Sequence, residues 1–123
     1  MSKQSTANFS REELMCRCET CQSNNANHYM ESGALDSLQR IREAFGKPIV
    51  LNSAYRCKLH PEESGKDKPG THHQGIAVDV RVPIGRDRMK LIALFLGEGW
   101  TSIGWGKGFI HFDRRSVPTC WEY

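Results

Sequence analysis

The sequence predicts an α+β domain, a small and mostly antiparallel sheet with helices packed on one face. Three observations predict it. Apolar residues recur at helical spacing between positions 35 and 45, and they alternate strictly between 76 and 82. A glycine-rich run, GWGKG, then joins two short β-type segments near the C-terminus. The 123 residues suffice for one compact domain and not for two ordinary ones. Residues 1–123 are therefore read as a single unit, with polar residues 1–8 frayed.

Taken in order, Ser10 followed by Arg11, Glu12 and Glu13 predicts a short capped helix, because Glu13 stands three residues after Ser10. Residues 22–31, QSNNANHYME, are polar and asparagine-rich and read as a loop, with His28 a solvated loop histidine. Leu35, Leu38, Ile41 and Phe45 lie on one helix face, with Ser32 as N-cap and Gly46 as the stop. Pro48 opens a short strand and turn, PIVLNSAY. Residues 57–71 are charged and rich in glycine and proline, a long surface loop of the kind that carries function in small domains. Ile76, Val78, Val80 and Val82 alternate with Ala77, Asp79 and Arg81, a strand with one apolar face. PIGRD turns the chain, and MKLIALFLGEG is a buried helix ended by Gly97 or Gly99. TSIGW and GFIHFD complete the sheet as a hairpin.

Composition narrows the function classes. With 38% hydrophobic and 25% charged residues the chain is of the soluble globular type, and no apolar run approaches the ~20 residues of a membrane span. The net charge of +3 is spread along the sequence. Nucleic-acid binding, which needs a basic patch or stripe, is not expected, whereas an anionic polymer is mildly favoured. The start, MSKQSTANFSREEL, has no apolar secretion signal, so the expectation is synthesis in the cytoplasm. A monomer is expected. Five cysteines leave at least one outside any intramolecular disulfide. Cys16, Cys18 and Cys21 crowd into CRCETC, one thiolate short of a zinc set. Cys57 or His28 would have to supply the fourth, and the default reading is reduced thiols, or one disulfide, holding the N-terminal segment to the domain.

Strand parity singles out a carboxylate. Asp79 points away from Val78 and Val80, beside the small Ala77, so it faces a cavity or a partner. In the last strand His111 and Asp113 share one face, about 6.6 Å apart. Two histidines and an aspartate can hold zinc and leave a fourth position for water, which the metal acidifies toward neutral pH. A plain hydrogen bond between Asp79 and His111 at the sheet edge is the other reading of the same spacing.

Three ordered motifs resemble a known family. His72-x-x-Gly75-x-Ala77-x-Asp79 resembles the H-x-x-G-x-A-x-D signature of the D-Ala-D-Ala zinc metallopeptidases, the M15 group of wall carboxypeptidases, dipeptidases and phage endolysins. Ser53-Ala54-Tyr55-Arg56 resembles their S-x-Y-R segment, and Phe109-Ile110-His111-Phe112-Asp113 the F-(I/V)-H-x-D strand of members with short catalytic domains. The likeness runs from about residue 9 to the C-terminus. It implies a hedgehog-like and D-Ala-D-Ala-peptidase-like fold with one catalytic Zn2+ held by His72, Asp79 and His111, while His73 is a loop histidine. It further implies hydrolysis of an amide bond in peptidoglycan stem peptides. Arg56 matches the arginine that holds a substrate carboxylate or polarises the scissile carbonyl, Ser53 and Tyr55 help bind peptide, and Asp113 is the candidate base. His60 and His73 are further candidate proton carriers. Trp105 is read as a substrate-binding rim residue, Tyr123 as a groove or core aromatic, Trp100 as packing under a helix, and Trp121 as a C-terminal anchor.

Two positions depart from the pattern. Gly70 stands where the family has serine, with Thr71 beside it, and Gly108 stands where many members carry an acidic base. These departures keep a second class open: a non-hydrolytic, zinc-containing wall-binding or virion structural module of the same fold. Cytoplasmic synthesis and a wall target together suggest a phage or prophage lytic enzyme, released through a holin or carried by the virion.

Overall fold

In the computed structural model, residues 4–66, 68 and 70–123 are described. Among these described residues, four helices and five strands follow one another as α1 (Arg11–Leu14), α2 (Glu19–Asn24), α3 (Ser32–Phe45), β1 (Val50–Ser53), β2 (Ala77–Arg81), α4 (Arg86–Gly97), β3 (Ser102–Trp105), β4 (Phe109–Asp113) and β5 (Cys120–Glu122). They form an α+β fold with one mixed sheet in the order β1-β2-β4-β3-β5. The pairs β1–β2, β2–β4 and β4–β3 are antiparallel, and β5 runs parallel to β3.

The local signals act where expected. Ser10 Oγ accepts the Glu13 N–H at 3.2 Å and Glu13 Oε1 accepts the Ser10 N–H at 3.1 Å, so both halves of the capping box are made. Gly46 closes α3 with φ 74°, in the left-handed region that a residue with Cβ enters at a cost. Ser32 is not the N-cap of α3: Glu31 takes that place without a side-chain cap, and Ser32 is the first helical residue. Helix α2 occupies part of the segment read as loop, and α4 begins one turn earlier than its apolar run, at Arg86. Strand β5 has only three residues, too few for alternation to reveal.

The apolar face of the sheet is covered by α3 and α4. Leu35, Leu38, Ile41 and Phe45 of α3 are buried with Val78, Val80, Ile110 and Phe112. Phe95 of α4 stacks on Phe112 with ring centroids 3.8 Å apart, and Trp100 meets Phe95 edge-on at 5.0 Å. Trp100 Nε1 donates to Ser37 Oγ, which donates to Glu98, so the indole is buried with its polar atom satisfied. His28 is also buried, at 0% exposure, and is not a solvated loop residue. Its Nδ1 accepts the Met30 N–H and its Nε2 donates to the Gln4 carbonyl at 2.8 Å, a pairing that ties the N-terminal segment down. Among the described residues no helix is long and apolar enough to cross a membrane.

Candidate metal centre

The register of the central strands builds the site. Asp79 of β2 pairs with His111 of β4, and Ala77 pairs with Asp113, so these four side chains share the face turned away from the helices. In β1 a bulge between Leu51 and Ser53 adds one residue, which sets Leu51 opposite Val80 in the core and Ser53 opposite Asp79. Without it, Leu51 and Ser53 would lie on the same face. His72 arrives from the turn preceding β2, which Gly75 completes at φ 76°. A Cβ on Gly75 would collide with the Tyr29 carbonyl, so glycine is required by both backbone angle and space.

Three ligand-type atoms converge. His72 Nε2 lies 3.2 Å and His111 Nδ1 lies 2.9 Å from Asp79 Oδ1, and one donor atom from each residue falls within 4.8 Å of the other two. The outer ring nitrogens settle the tautomers. His72 Nδ1 donates to the Ala54 carbonyl at 2.6 Å, and His111 Nε2 donates to Asp113 Oδ2 at 2.7 Å. In the neutral rings, His72 Nε2 and His111 Nδ1 therefore present lone pairs toward a carboxylate oxygen. Three acceptors with no donor among them fit a cation, and two imidazole nitrogens with a carboxylate are a zinc donor set.

The electrostatics agree. Burial acts to raise the Asp79 carboxyl, but the adjoining His111 and His72 rings, which donate to it when protonated, hold it well below the usual carboxylate range. Burial acts to lower the His111 imidazole, and the Asp113 and Asp79 carboxylates outweigh it and raise it. Asp113 is 0% exposed. Its oxygens accept from His111 and from the Arg115 guanidinium and backbone N–H, and these bonds hold it ionised against burial. The sequence reads Asp113 as the candidate base; the structure engages it with the outer nitrogen of His111 and with Arg115. It sits behind His111, away from the hollow, and orients the ring.

The guanidinium of Arg56 closes the centre on another side. Nη2 reaches Asp79 Oδ2 at 3.1 Å, Nη1 reaches Glu62 Oε2 at 3.0 Å, and Nε donates to Ser53 Oγ at 3.1 Å. Ser53 thus acts on Arg56 and does not line the hollow. Tyr55, two residues beyond β1, is buried in the core with its ring 5.5 Å from that of Tyr29 and 5.9 Å from that of His73. His73 donates to the Arg56 carbonyl at 2.8 Å and His60 Nδ1 accepts the Glu62 N–H, so both histidines shape the loop.

A hollow of about 510 Å³ opens over the centre, with Arg56, His72 and His111 in its wall. Glu62, Glu63, Thr71, Trp121 and Tyr123 complete much of that wall. Trp105 does not. It pairs with Ile110, on the face opposite His111, and lines a separate hollow with Ile84 and Arg88. Its place is taken by Trp121, whose ring lies 5.1 Å from His111 and under the Arg115 guanidinium at 4.8 Å. Gly104 makes that possible, since a Cβ there would come within 2.7 Å of the Trp121 ring. Nothing local in the sequence marks Trp121, because the parallel pairing of β5 with β3 puts it there. At the first departure from the motif, Gly70 donates its N–H to the buried Glu63 carboxylate at 3.1 Å. At the second, a Cβ on Gly108 would meet nothing within 4 Å.

A second group of ligand-type atoms lies apart from this centre. All five cysteines are free thiols, and the sulfurs of Cys16, Cys18, Cys21 and Cys57 lie within 4.8 Å of one another. Burial acts to raise the Cys18 thiol, but hydrogen bonds from the Cys21 backbone and from Cys57 bring it down to about 7.

Comparison with known proteins agrees with the geometry. The family model described as Peptidase M15 matches residues 7–113. No curated protein matches the chain.

Proposed function

The chain belongs to the peptidase M15 family, a family of zinc enzymes, and from that premise we propose that it hydrolyses an amide bond in peptidoglycan stem peptides. The observation that carries this reading is the convergence of His72 Nε2, Asp79 Oδ1 and His111 Nδ1, with both outer ring nitrogens committed to acceptors. These three atoms would hold zinc, which supplies Lewis acidity and a water acidified toward neutral pH.

The chain's own residues divide the remaining work. Asp113, fixed by Arg115, keeps the proton on His111 Nε2 and so keeps Nδ1 free for the metal. Arg56 remains charged and faces the hollow, where its guanidinium can hold a substrate carboxylate or a developing oxyanion. A proton acceptor must face the hollow, and among the described residues its acidic wall residues are Glu62 and Glu63. Glu63 is engaged by the Gly70 N–H and by Lys66, whereas Glu62 is largely exposed and touches Arg56, so Glu62 is the freer acceptor. Trp121 and Tyr123 offer apolar walls to the peptide.

The test is hydrolysis of purified wall fragments by zinc-loaded protein, followed by chromatography of the products. Cleavage that disappears in His72→Ala and falls sharply in Glu62→Gln supports the assignment. Fragment binding without product, in a protein holding its zinc, would instead favour the non-hydrolytic wall-binding module, for which Gly108 and the burial of Asp113 already speak.

A further inference from the structure

Cys16, Cys18 and Cys21 precede and open α2, and Cys57 follows Arg56 directly after the turn that leaves β1. Their sulfurs are brought together from 36 residues or more apart in sequence between Cys21 and Cys57. We propose that these four cysteines form a closed, structural zinc site that clamps the N-terminal segment to the turn carrying Arg56.

Geometry favours an ion over a disulfide. Four sulfurs at a zinc–sulfur distance of about 2.3 Å stand about 3.8 Å apart at the corners of a tetrahedron. The Cys18 and Cys57 sulfurs are 3.5 Å apart, and the other pairs lie within 4.8 Å. A disulfide needs about 2.05 Å and joins only two of the four. The Cys18 N–H donates to Cys16 Sγ at 3.4 Å, a contact that stabilises charge on a ligating sulfur. Four thiolates also leave no open position for water, which makes the site structural and not catalytic.

The elements around the cluster supply an independent argument. Helix α2 has six residues, buries none of them and has no side-chain cap. So short a helix is not stable by itself. Its links to the rest of the domain include the sulfurs of Cys18 and Cys21, the Gln22 amide on the Cys16 carbonyl, and Arg11, whose guanidinium takes the Asn25 and Ala26 carbonyls. On the other side, the neighbours of Cys57 reach the first centre: Arg56 contacts Asp79, and the Ala54 carbonyl accepts a hydrogen bond from His72 Nδ1. A metal at the cysteines thus holds the segment that orients both groups.

Cobalt replaces zinc and reports its ligands, so the experiment loads reduced protein with Co(II). His72→Ala disables the first centre while leaving every cysteine in place. The expected result is that this variant binds one equivalent of metal and shows the sulfur-to-cobalt charge-transfer absorption of a tetrahedral thiolate site. Cys18→Ser combined with Cys21→Ser should abolish that absorption, and the wild type should bind one equivalent more than either. A folded His72→Ala protein that takes up no thiolate-bound cobalt would overturn the proposal. So would a Cys18–Cys57 disulfide found by mass spectrometry in the unreduced native protein. Because the decisive measurement keeps all four cysteines, it does not depend on the folding of the serine variant. A wild type with the thiolate absorption but no wall hydrolysis would leave this site standing and sink only the peptidase reading.

Discussion

The two nitrogens of His111 have separate duties, and Asp113 assigns them. Loss of the charged acceptor in Asp113→Asn should weaken zinc binding by about 10–100-fold, measured by competition with a chromophoric chelator. Unchanged affinity would show that the carboxylate does not orient the ring. His28 makes a second prediction at this scale. Burial lowers its imidazole below the ordinary value, and its Nδ1 already accepts the Met30 N–H. Below about pH 6.5 the unfolded chain takes up a proton that the folded chain refuses. The contribution of His28 to stability is therefore complete above that pH and declines as the pH falls through it. His28→Gln should flatten this part of the stability profile in urea titrations at a series of pH values. Asp79 and His111 were legible as residues because strand parity marks their face, and His72 because the H-x-x-G-x-A-x-D resemblance picks it over His73. The role of Asp113 was not, since parity gives its face but not the Arg115 contact that turns it behind His111.

Among the elements, β5 shows how much a short strand can decide. Three residues paired in parallel with β3 carry Trp121 over Gly104 and against His111. Gly104→Ala should push the indole out of this place and cost about 1–3 kcal/mol of stability by overpacking. Near-UV circular dichroism and urea unfolding would both register the change. A variant with the wild-type spectrum and stability would contradict the packing described. The hairpin, the Gly46 stop and the capping box were legible because each is a local rule, satisfied within four or five residues. Helix α2 and β5 were not, because neither has a pattern of its own and each is held by partners distant in sequence. The bulge in β1 belongs with them: one added residue decides that Ser53 meets Asp79 and Arg56 while Leu51 enters the core.

For the whole molecule, one core supports the site from beneath. Leu38 lies in it at 0% exposure, and Leu38→Ala should cost about 2–5 kcal/mol in denaturant unfolding. Zinc bound only to the folded state adds stability by mass action, so chelation should lower the melting temperature of the wild type more than that of His72→Ala. The amino-acid sequence by itself determined the α+β class, the face on which Asp79 and His111 stand, and the motif order of an M15 peptidase. Periodicity and spacing are local quantities, and the chain carries them before it folds. Only the tertiary structure decided that Trp121 replaces Trp105 at the hollow, that Tyr55 turns into the core, that Asp113 lies behind His111, and that Cys57 meets the CRCETC cluster. Each of these contacts depends on strand register or on a crossing between segments remote in sequence. Such contacts are selected by the burial and hydrogen bonding of the whole domain, which no short stretch of the chain contains.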